Sequence, residues 1–186
     1  SFNEIKKLSK KKSESYAFNT IKKLVDLELL SKKKIGNSMI YKLNINSLKS
    51  QSIIGFLAEN HAFNKLKEQM AIINNLAKKI PTLFFSLIIT GSYAKNMQKN
   101  NSDLDLVIIT DNSIESKKIY SEINHYSQIS IPKIHPQVFK ESEFKQMLLE
   151  KSANFGKETA KNNLIIFGAQ NYYKLLNEVL NNGFNG

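Results

Sequence analysis

Two short groups of polar residues, separated by a fixed interval, are the part of this sequence that could do chemistry. Gly91 and Ser92 come first, ten residues follow, and Asp103 and Asp105 then stand in alternate positions. In an extended strand alternate side chains share one face, so both carboxylates should converge on one spot. Neighbouring carboxylates repel unless a positive charge lies between them, and a hard divalent cation supplies that charge. The expected ion is Mg²⁺.

A magnesium site of this kind predicts a ligand that carries phosphate, because Mg²⁺ usually completes its coordination shell with substrate phosphates. Gly91 lets the backbone approach such a ligand closely, and Ser92 offers a hydroxyl and an N–H. A helix beginning near Ser92 to Lys95 would direct its positive end towards an anion. Apolar, β-prone runs at 83–90 and 106–109 flank the whole segment and predict two buried strands around one loop. The alternative is a tight turn and a solvated strand end, which any α/β protein could contain.

The stretch GSYAKNMQKNNSDLD resembles the signature of the DNA polymerase beta-like nucleotidyltransferases, in the small variety called minimal nucleotidyltransferases. The resemblance implies transfer of a nucleoside monophosphate from a nucleoside triphosphate, with ATP the expected donor, to a protein or RNA acceptor. Pyrophosphate would leave, and two Mg²⁺ ions would flank the displacement. By this resemblance Asp103 and Asp105 are the catalytic metal ligands. The implied nucleotide-binding residues are Gly91, Ser92, Lys95 and Ser102.

The sequence departs from the family pattern at two points. Asn96 stands where the family commonly has Gly, and Asn tolerates left-handed backbone conformations better than most residues. The family also places a third carboxylate on a later strand, but the predicted strand 129–139 contains His135 and no acidic residue. Glu141 and Glu143 follow that strand. Either a glutamate turns in, or His135 or a substrate oxygen fills the position, or the second metal ion is weakly held.

Composition restricts the protein class. The chain has 186 residues, 41% of them hydrophobic, which suffices for a proper core and for one or two small domains. It contains no apolar run of about twenty residues and no signal-peptide pattern, so we expect a cytoplasmic protein with no membrane partner. The absence of cysteine excludes disulfides and thiolate sites, and the three histidines are too scattered for a zinc cluster.

The formal net charge of +11 favours an anionic partner, and every basic residue is lysine. Without arginine the chain lacks the bidentate fork that reads guanine, whereas lysine suits phosphate backbones and nucleotide tails. A merely solvated basic surface is the alternative. The lysines are concentrated in residues 1–50, and they include Lys11 and Lys12 in a polar turn, 9–13.

The first fifty residues predict a helix with Phe2, Ile5 and Leu8 on one face, a second helix over 13–30, and a hairpin. The hairpin pairs residues 31–35 with 38–43 around a Gly36-Asn37 turn. This order, with the stretch LVDLELLSKKKIGNSMIYKLN, resembles a winged helix-turn-helix domain that lacks its first helix. Because the sequence starts at Ser1 without Met, we expect the natural protein to begin further upstream. The resemblance implies DNA contacts at Ser13, Ser15, Tyr16, Asn19, Lys32, Lys33 and Lys34.

The predicted fold is α/β (α+β), a small mixed β-sheet nucleotidyltransferase domain flanked by helices and preceded by a winged helix-turn-helix domain. The expected domains are 1–50, 51–80 as connecting helices broken near 60–61, and 81–186. Phe63, Leu66, Met70, Ile73 and Leu76 should form the buried stripe of the connecting helices. Further helices are expected over 113–128, 141–151, 154–161 and 169–180, with a short apolar run at 164–167.

Two functions remain open from the sequence. One is a Mg²⁺-dependent nucleotidyltransferase with a nucleic-acid-binding winged helix. The other is a catalytically degenerate, transferase-like DNA-binding regulator, such as the antitoxin that pairs with a toxin-like protein. A homodimer fits either function, and the sequence does not identify the acceptor or the base of the nucleotide.

Overall fold

A computed structural model describes residues 1–10 and 13–184. Lys11 and Lys12, in the predicted polar turn, lie outside the described residues, as do the last two positions of the predicted domain 81–186. The chain divides into two compact units, Ser1–Ile53 and Ile54–Gly186. The domain boundaries expected from the sequence stay a prediction. Within the described ranges, no helix has the length and apolar character needed to cross a membrane.

The first unit begins with two helices and a hairpin. Ser1 and Ser13 cap the two helices, since each hydroxyl accepts a hydrogen bond from a backbone N–H in the first turn. The hairpin is antiparallel and turns at Gly36, whose φ is +57°, as the Gly-Asn pair predicts. The elements are α1 (Phe2–Leu8), α2 (Glu14–Asp26), β1 (Leu30–Ile35) and β2 (Ser38–Leu43). They are followed by α3 (Leu48–Lys65), which begins in this unit and continues into the second.

The second helix is shorter than the sequence suggests, because it ends at Asp26 and not at residue 30. Glu28 takes a left-handed backbone conformation with φ of +61°, which stops the helix. The Glu28 N–H donates to the Val25 carbonyl and the Leu29 N–H to the Leu24 carbonyl, each at 2.9 Å, which satisfies carbonyls of the last helical turn. The side-chain amide of Asn44 donates to the Glu28 carbonyl at 2.9 Å. Leu30 is therefore the first residue of β1.

The second unit contains a four-stranded mixed sheet in the order β5-β4-β3-β6, which confirms the predicted fold class. Strand β3 is antiparallel to both β4 and β6, whereas β4 and β5 are parallel. The strands are β3 (Phe85–Ile89), β4 (Leu104–Thr110), β5 (Ile134–Lys140) and β6 (Leu164–Phe167). The helices are α4 (Met70–Ala77), α5 (Gly91–Ala94), α6 (Ser116–Ile129), α7 (Glu141–Leu149), α8 (Phe155–Lys161) and α9 (Ala169–Asn181).

Both faces of this sheet are covered, which explains why its central strands read as continuous apolar runs. Leu87 and Ile108 face a core formed with α4 and α6, while Ile88 and Val107 face a second core formed with α7 and α9. These four side chains are fully buried. Burial of each such side chain contributes about 1.5–3 kcal/mol relative to exposure. The sheet is thus a rigid support for the loops at its edges.

Three predictions in this unit are wrong: the position of a helix break, the burial of one residue and the start of a strand. The predicted helix break at 60–61 does not occur, because α3 continues to Lys65 and the chain breaks at 66–69. Asn60 lowers helix propensity only slightly, and tertiary packing overrides such a preference. Phe63 is 42% exposed and does not belong to the buried stripe. The third strand begins at Ile134, since residue 129 is the last residue of α6.

Candidate active site

The acidic pair lies where β4 begins. Asp103 immediately precedes the strand and Asp105 is its second residue. The Thr90 N–H donates to the Asp105 carbonyl at 3.0 Å, and the Leu104 N–H donates to the Lys133 carbonyl at 2.8 Å. These bonds fix the start of β4 between its two neighbours. The carboxylates of Asp103 and Asp105 are 44% and 43% exposed, so both remain accessible to a ligand.

His135 lies against both carboxylates. In the parallel β4–β5 pair, Asp105 and His135 are direct neighbours across the ladder. The His135 ring places Nε2 at 3.4 Å from Asp103 Oδ2 and Nδ1 at 4.0 Å from Asp105 Oδ1. One imidazole therefore contacts both members of the pair, and the two carboxylates converge on the same spot.

The pKa of Asp105 is raised above its ordinary value of 3.8. The largest cause is partial burial, which disfavours the charged form, and the neighbouring negative charge of Asp103 acts in the same direction. His135 opposes both effects but does not outweigh them. Asp105 is thus a carboxylate whose ionised form the protein alone does not fully stabilise, and a cation at this position would stabilise it.

Gly91 is required by the position of Asp105. Its φ is +64°, and a Cβ atom built on it would lie 2.0 Å from Asp105 Oδ2 and 2.9 Å from Asp105 Cγ. A side chain at residue 91 would therefore occupy the place of the carboxylate. The Thr90 hydroxyl donates to the Asn162 carbonyl at 3.0 Å and anchors the preceding residue. The glycine and the aspartate, fourteen positions apart, form one packed unit.

The loop after Gly91 differs from the expected helix start. Helix α5 contains only four residues, Gly91–Ala94, so a helix dipole contributes little there. Ser92 can offer its hydroxyl and its backbone N–H, but not the end of a long helix. Tyr93 is buried in the core, and burial raises the pKa of its hydroxyl. Asn96 has φ of +56°, the left-handed conformation that its residue type tolerates.

The structure places two other predicted nucleotide-binding residues in contacts with the protein itself. The Lys95 ammonium lies 2.5 Å from Glu158 Oε1 on α8, and this contact lowers the pKa of Glu158. The Ser102 hydroxyl accepts a hydrogen bond from the Lys99 N–H at 2.8 Å and closes the loop before β4. Sequence reasoning missed Glu158, because nothing in the local pattern connects it to Lys95.

The candidates for a third carboxylate lie elsewhere. Glu141 contacts Lys145 at 2.6 Å, and Glu143 accepts from the Lys140 N–H at 2.8 Å, so both belong to the start of α7. Glu141 is six residues beyond His135 along the strand direction, a distance of about 20 Å. Among the residues that the structure describes, no group of three His, Asp or Glu could hold a metal ion. The oxygen donors of Asp103 and Asp105 suit one hard divalent cation that takes its remaining ligands from water and phosphate.

The predicted DNA-contacting residues lie on α2 and β1 of the first unit. Ser13 is the cap of α2, and its hydroxyl accepts from the Tyr16 N–H at 3.3 Å. Ser15, Tyr16 and Asn19 are exposed along the first turns of that helix. Lysines 32, 33 and 34 are also exposed, but a strand alternates its faces, so the middle one points away from the other two.

Comparisons with known proteins give one family, and weak structural likenesses that include two solved structures. The model of the family described as polymerase beta, nucleotidyltransferase matches residues 71–172. No curated protein matches the chain. A crystal structure of a toxin-antitoxin with AMP-PNP is 10% identical over 60% of this chain and 83% of that chain, with a TM-score of 0.43. A protein from Sulfolobus solfataricus, provisionally described as a nucleotidyltransferase, is 16% identical over 50% of this chain and 78% of that chain, with a TM-score of 0.32. Both TM-scores are below 0.5, so neither likeness bears on function.

We predict that Gly91→Ala displaces the Asp105 carboxylate, because the new Cβ would take its place. The displaced carboxylate should become more exposed, and its pKa should fall towards 3.8. Gly36→Ala is the matched control, since it creates the same left-handed strain, about 1–2 kcal/mol, with no atom within 4 Å of the new Cβ. Carbon-13 NMR titration of the Asp105 carboxyl would measure the change. An unaltered Asp105 titration in Gly91→Ala would contradict the packing described above.

The raised pKa of Asp105 predicts a stability that depends on pH in the metal-free protein. A carboxyl with a raised pKa in the folded state stabilises the fold below 3.8 and loses that contribution as the pH rises through the folded pKa. Asp105→Asn should therefore increase the free energy of unfolding at pH 7.5 and change it little near pH 3.5, which urea titrations in a chelator would measure.

Asp111→Asn is the control of opposite sign. Hydrogen bonds from Ser113 lower the pKa of Asp111, so its contribution is present above 3.8 and lost as the pH falls through the folded pKa. This variant should be less stable than the unaltered protein at pH 7.5. Equal changes in the two variants would show that burial does not govern the ionisation of Asp105.

Proposed function

The chain belongs to the polymerase beta nucleotidyltransferase family, whose model matches more than half of it, and we propose that it is an active nucleotidyltransferase. It transfers a nucleoside monophosphate from a nucleoside triphosphate, ATP first among the candidates, to a hydroxyl of a protein or RNA acceptor. The acceptor hydroxyl releases its proton to solvent as its oxygen attacks the α-phosphorus. The bond from that phosphorus to the bridging oxygen breaks, and pyrophosphate leaves.

One observation carries this proposal. The carboxylate of Asp105 lies against the bare backbone of Gly91, next to Asp103 and inside the matched segment. The two carboxylates that can bind a cation therefore lie next to the backbone of Gly91, which has no side chain. A phosphate chain bound to the metal ion needs both the cation and close access to the backbone. The raised pKa of Asp105 adds to it, because a bound cation would stabilise the ionised carboxylate.

We assign the following roles to the residues of the site. Asp103 and Asp105 hold Mg²⁺, which when bound would neutralise charge on the phosphate oxygens. The Gly91 and Ser92 backbone, with the Ser92 hydroxyl, bind the phosphate chain. Ser102 keeps the loop in its shape through the bond that it accepts from the Lys99 N–H.

Lys95 reaches the phosphates by leaving Glu158. The Lys95–Glu158 pair is exposed, with side-chain exposures of 40% and 46%. Exposed ion pairs contribute about 0–1 kcal/mol, so the ammonium can exchange Glu158 for a phosphate at little cost. The pair keeps Lys95 near the loop while no nucleotide is bound.

The first unit is the second part of the proposal. Its two helices and hairpin, with exposed lysines on β1, resemble a winged helix-turn-helix domain, and we propose that it binds nucleic acid mainly through phosphate contacts. A toxin-like protein partner, a homodimer and a cytoplasmic location stay predictions. The observation that favours a purely regulatory protein is that the described residues contain no set of three metal-binding side chains at the site.

We expect the intact chain to transfer label from an α-labelled nucleoside triphosphate to protein or RNA in the presence of Mg²⁺. Asp103→Asn and Asp105→Asn should each reduce the rate by about 100-fold or more, because they remove a charge aimed at the reacting phosphate. Asp111→Asn is the control, since Asp111 follows the far end of β4. No transfer to any acceptor, with selective DNA binding retained, would favour the regulator.

Nucleic-acid binding should depend on Lys32 and Lys34, which share one face of β1. Replacing both with Ala should reduce the salt dependence of duplex DNA binding, measured by fluorescence anisotropy, by a slope of up to about 1.8. The double change Lys117→Ala and Lys118→Ala on α6 removes the same exposed charge from the other unit and serves as the control. Equal effects of the two pairs would indicate a diffuse basic surface.

A further inference from the structure

The side chain beside the acidic pair is a histidine, and its place in the sheet is fixed by the strand register. Asp105 and His135 are direct neighbours in the parallel ladder, so their side chains lie on the same face of the sheet. Both ring nitrogens lie within 4.0 Å of a carboxylate oxygen. The imidazole of His135, on β5, therefore lies directly beside the two carboxylates.

This arrangement limits the number of cations that the site can hold. Two divalent cations that act together on one phosphate lie about 3.5–4 Å apart and repel strongly, so shared negative ligands are needed to hold them. Asp103 and Asp105 together supply two negative charges, which one divalent cation balances. Imidazole supplies no negative charge, and it is a poor ligand for Mg²⁺, which prefers oxygen.

Three glutamates of the described residues that could supply a third carboxylate are engaged elsewhere. Glu141 and Glu143 have partners at the start of α7, and Glu158 is paired with Lys95. The described residues contain no set of three metal-binding side chains. A single cation still has enough ligands, because Mg²⁺ is commonly held by one or two carboxylates, phosphate oxygens and water.

We infer that the site takes one divalent cation for each bound nucleotide, and that His135 occupies the position from which a third carboxylate would hold a second. This inference rests on the proposed nucleotide binding. It goes beyond that proposal because it concerns this chain's own departure from a two-cation site.

Native mass spectrometry of the full chain would count the ions directly. The probes are Mn²⁺ and analogues of the four common nucleoside triphosphates, each with a methylene group between the α- and β-phosphorus so that transfer cannot occur. We expect one Mn²⁺ per bound nucleotide in the unaltered protein. His135→Asp puts a carboxylate directly across from Asp105, and we expect two ions per nucleotide in that variant.

Two control variants separate the charge from the loss of the ring. His135→Asn removes the imidazole without adding charge and should retain one ion. Gln137→Asp adds the same charge on the same face of β5, opposite Val107, and should also retain one ion. Circular dichroism would establish that each variant is folded, and the counts in the unaltered protein and in His135→Asn decide the question even if His135→Asp does not fold.

The outcomes distinguish this inference from the proposed function. Two ions per nucleotide in the unaltered protein would overturn the inference and leave the proposed function standing. Two ions in His135→Asn, or one ion in folded His135→Asp, would show that a carboxylate at residue 135 does not determine the number of bound ions. Either result would also overturn the inference. No bound nucleotide, or nucleotide bound without Mn²⁺, would overturn the proposed function and the inference together.

Discussion

The contact between the Asp105 carboxylate and the Gly91 backbone is the constraint on which the candidate site depends. It exists because β3 and β4 are antiparallel neighbours, so the residue that ends one strand meets the residue that begins the other. The Thr90 N–H bonded to the Asp105 carbonyl fixes that meeting point. A carboxylate held this way loses part of its hydration, and this partial burial is the largest cause of the raised pKa of Asp105. The apolar packing on both faces of the sheet offsets this loss of hydration.

The electrostatics of the site follow from the same packing. Burial and Asp103 both work against ionisation of Asp105, and only His135 works for it. A polar group that the fold leaves incompletely stabilised is typical of a functional position, because a ligand can supply what the protein does not. Stability and binding are therefore opposed at this residue. We therefore expect a variant that removes the charge to be more stable, while it lacks the group that attracts a cation.

The sequence predicts those features that depend on nearby residues, and it fails where distant segments meet. The turn at Gly36 follows from local residue types, and the structure confirms it. The apolar run at 164–167 is a strand, β6, in the structure. The converging carboxylates follow from the period of a strand. By contrast, the pairing of Lys95 with Glu158 joins two helices through tertiary packing, which no local pattern encodes. The alignment of Asp105 with His135 depends on the register of a parallel pair, which the sequence does not specify.

In this strongly basic chain, the contacts of lysines with other groups of the protein leave the carboxylates of Asp103 and Asp105 available to a metal ion. Lys157 on α8 donates to the Glu150 carbonyl, and Lys95 is paired with Glu158, so both ammonium groups have partners on the protein. Without such partners, lysines near the acidic pair could contact Asp103 or Asp105 and compete with a metal ion for them. An exposed Lys–Glu ion pair is weak, so the lysine can exchange its glutamate for a phosphate, which carries more charge than one carboxylate. Glu158 on α8 thus holds the Lys95 ammonium in a weak pair that an incoming anion can replace.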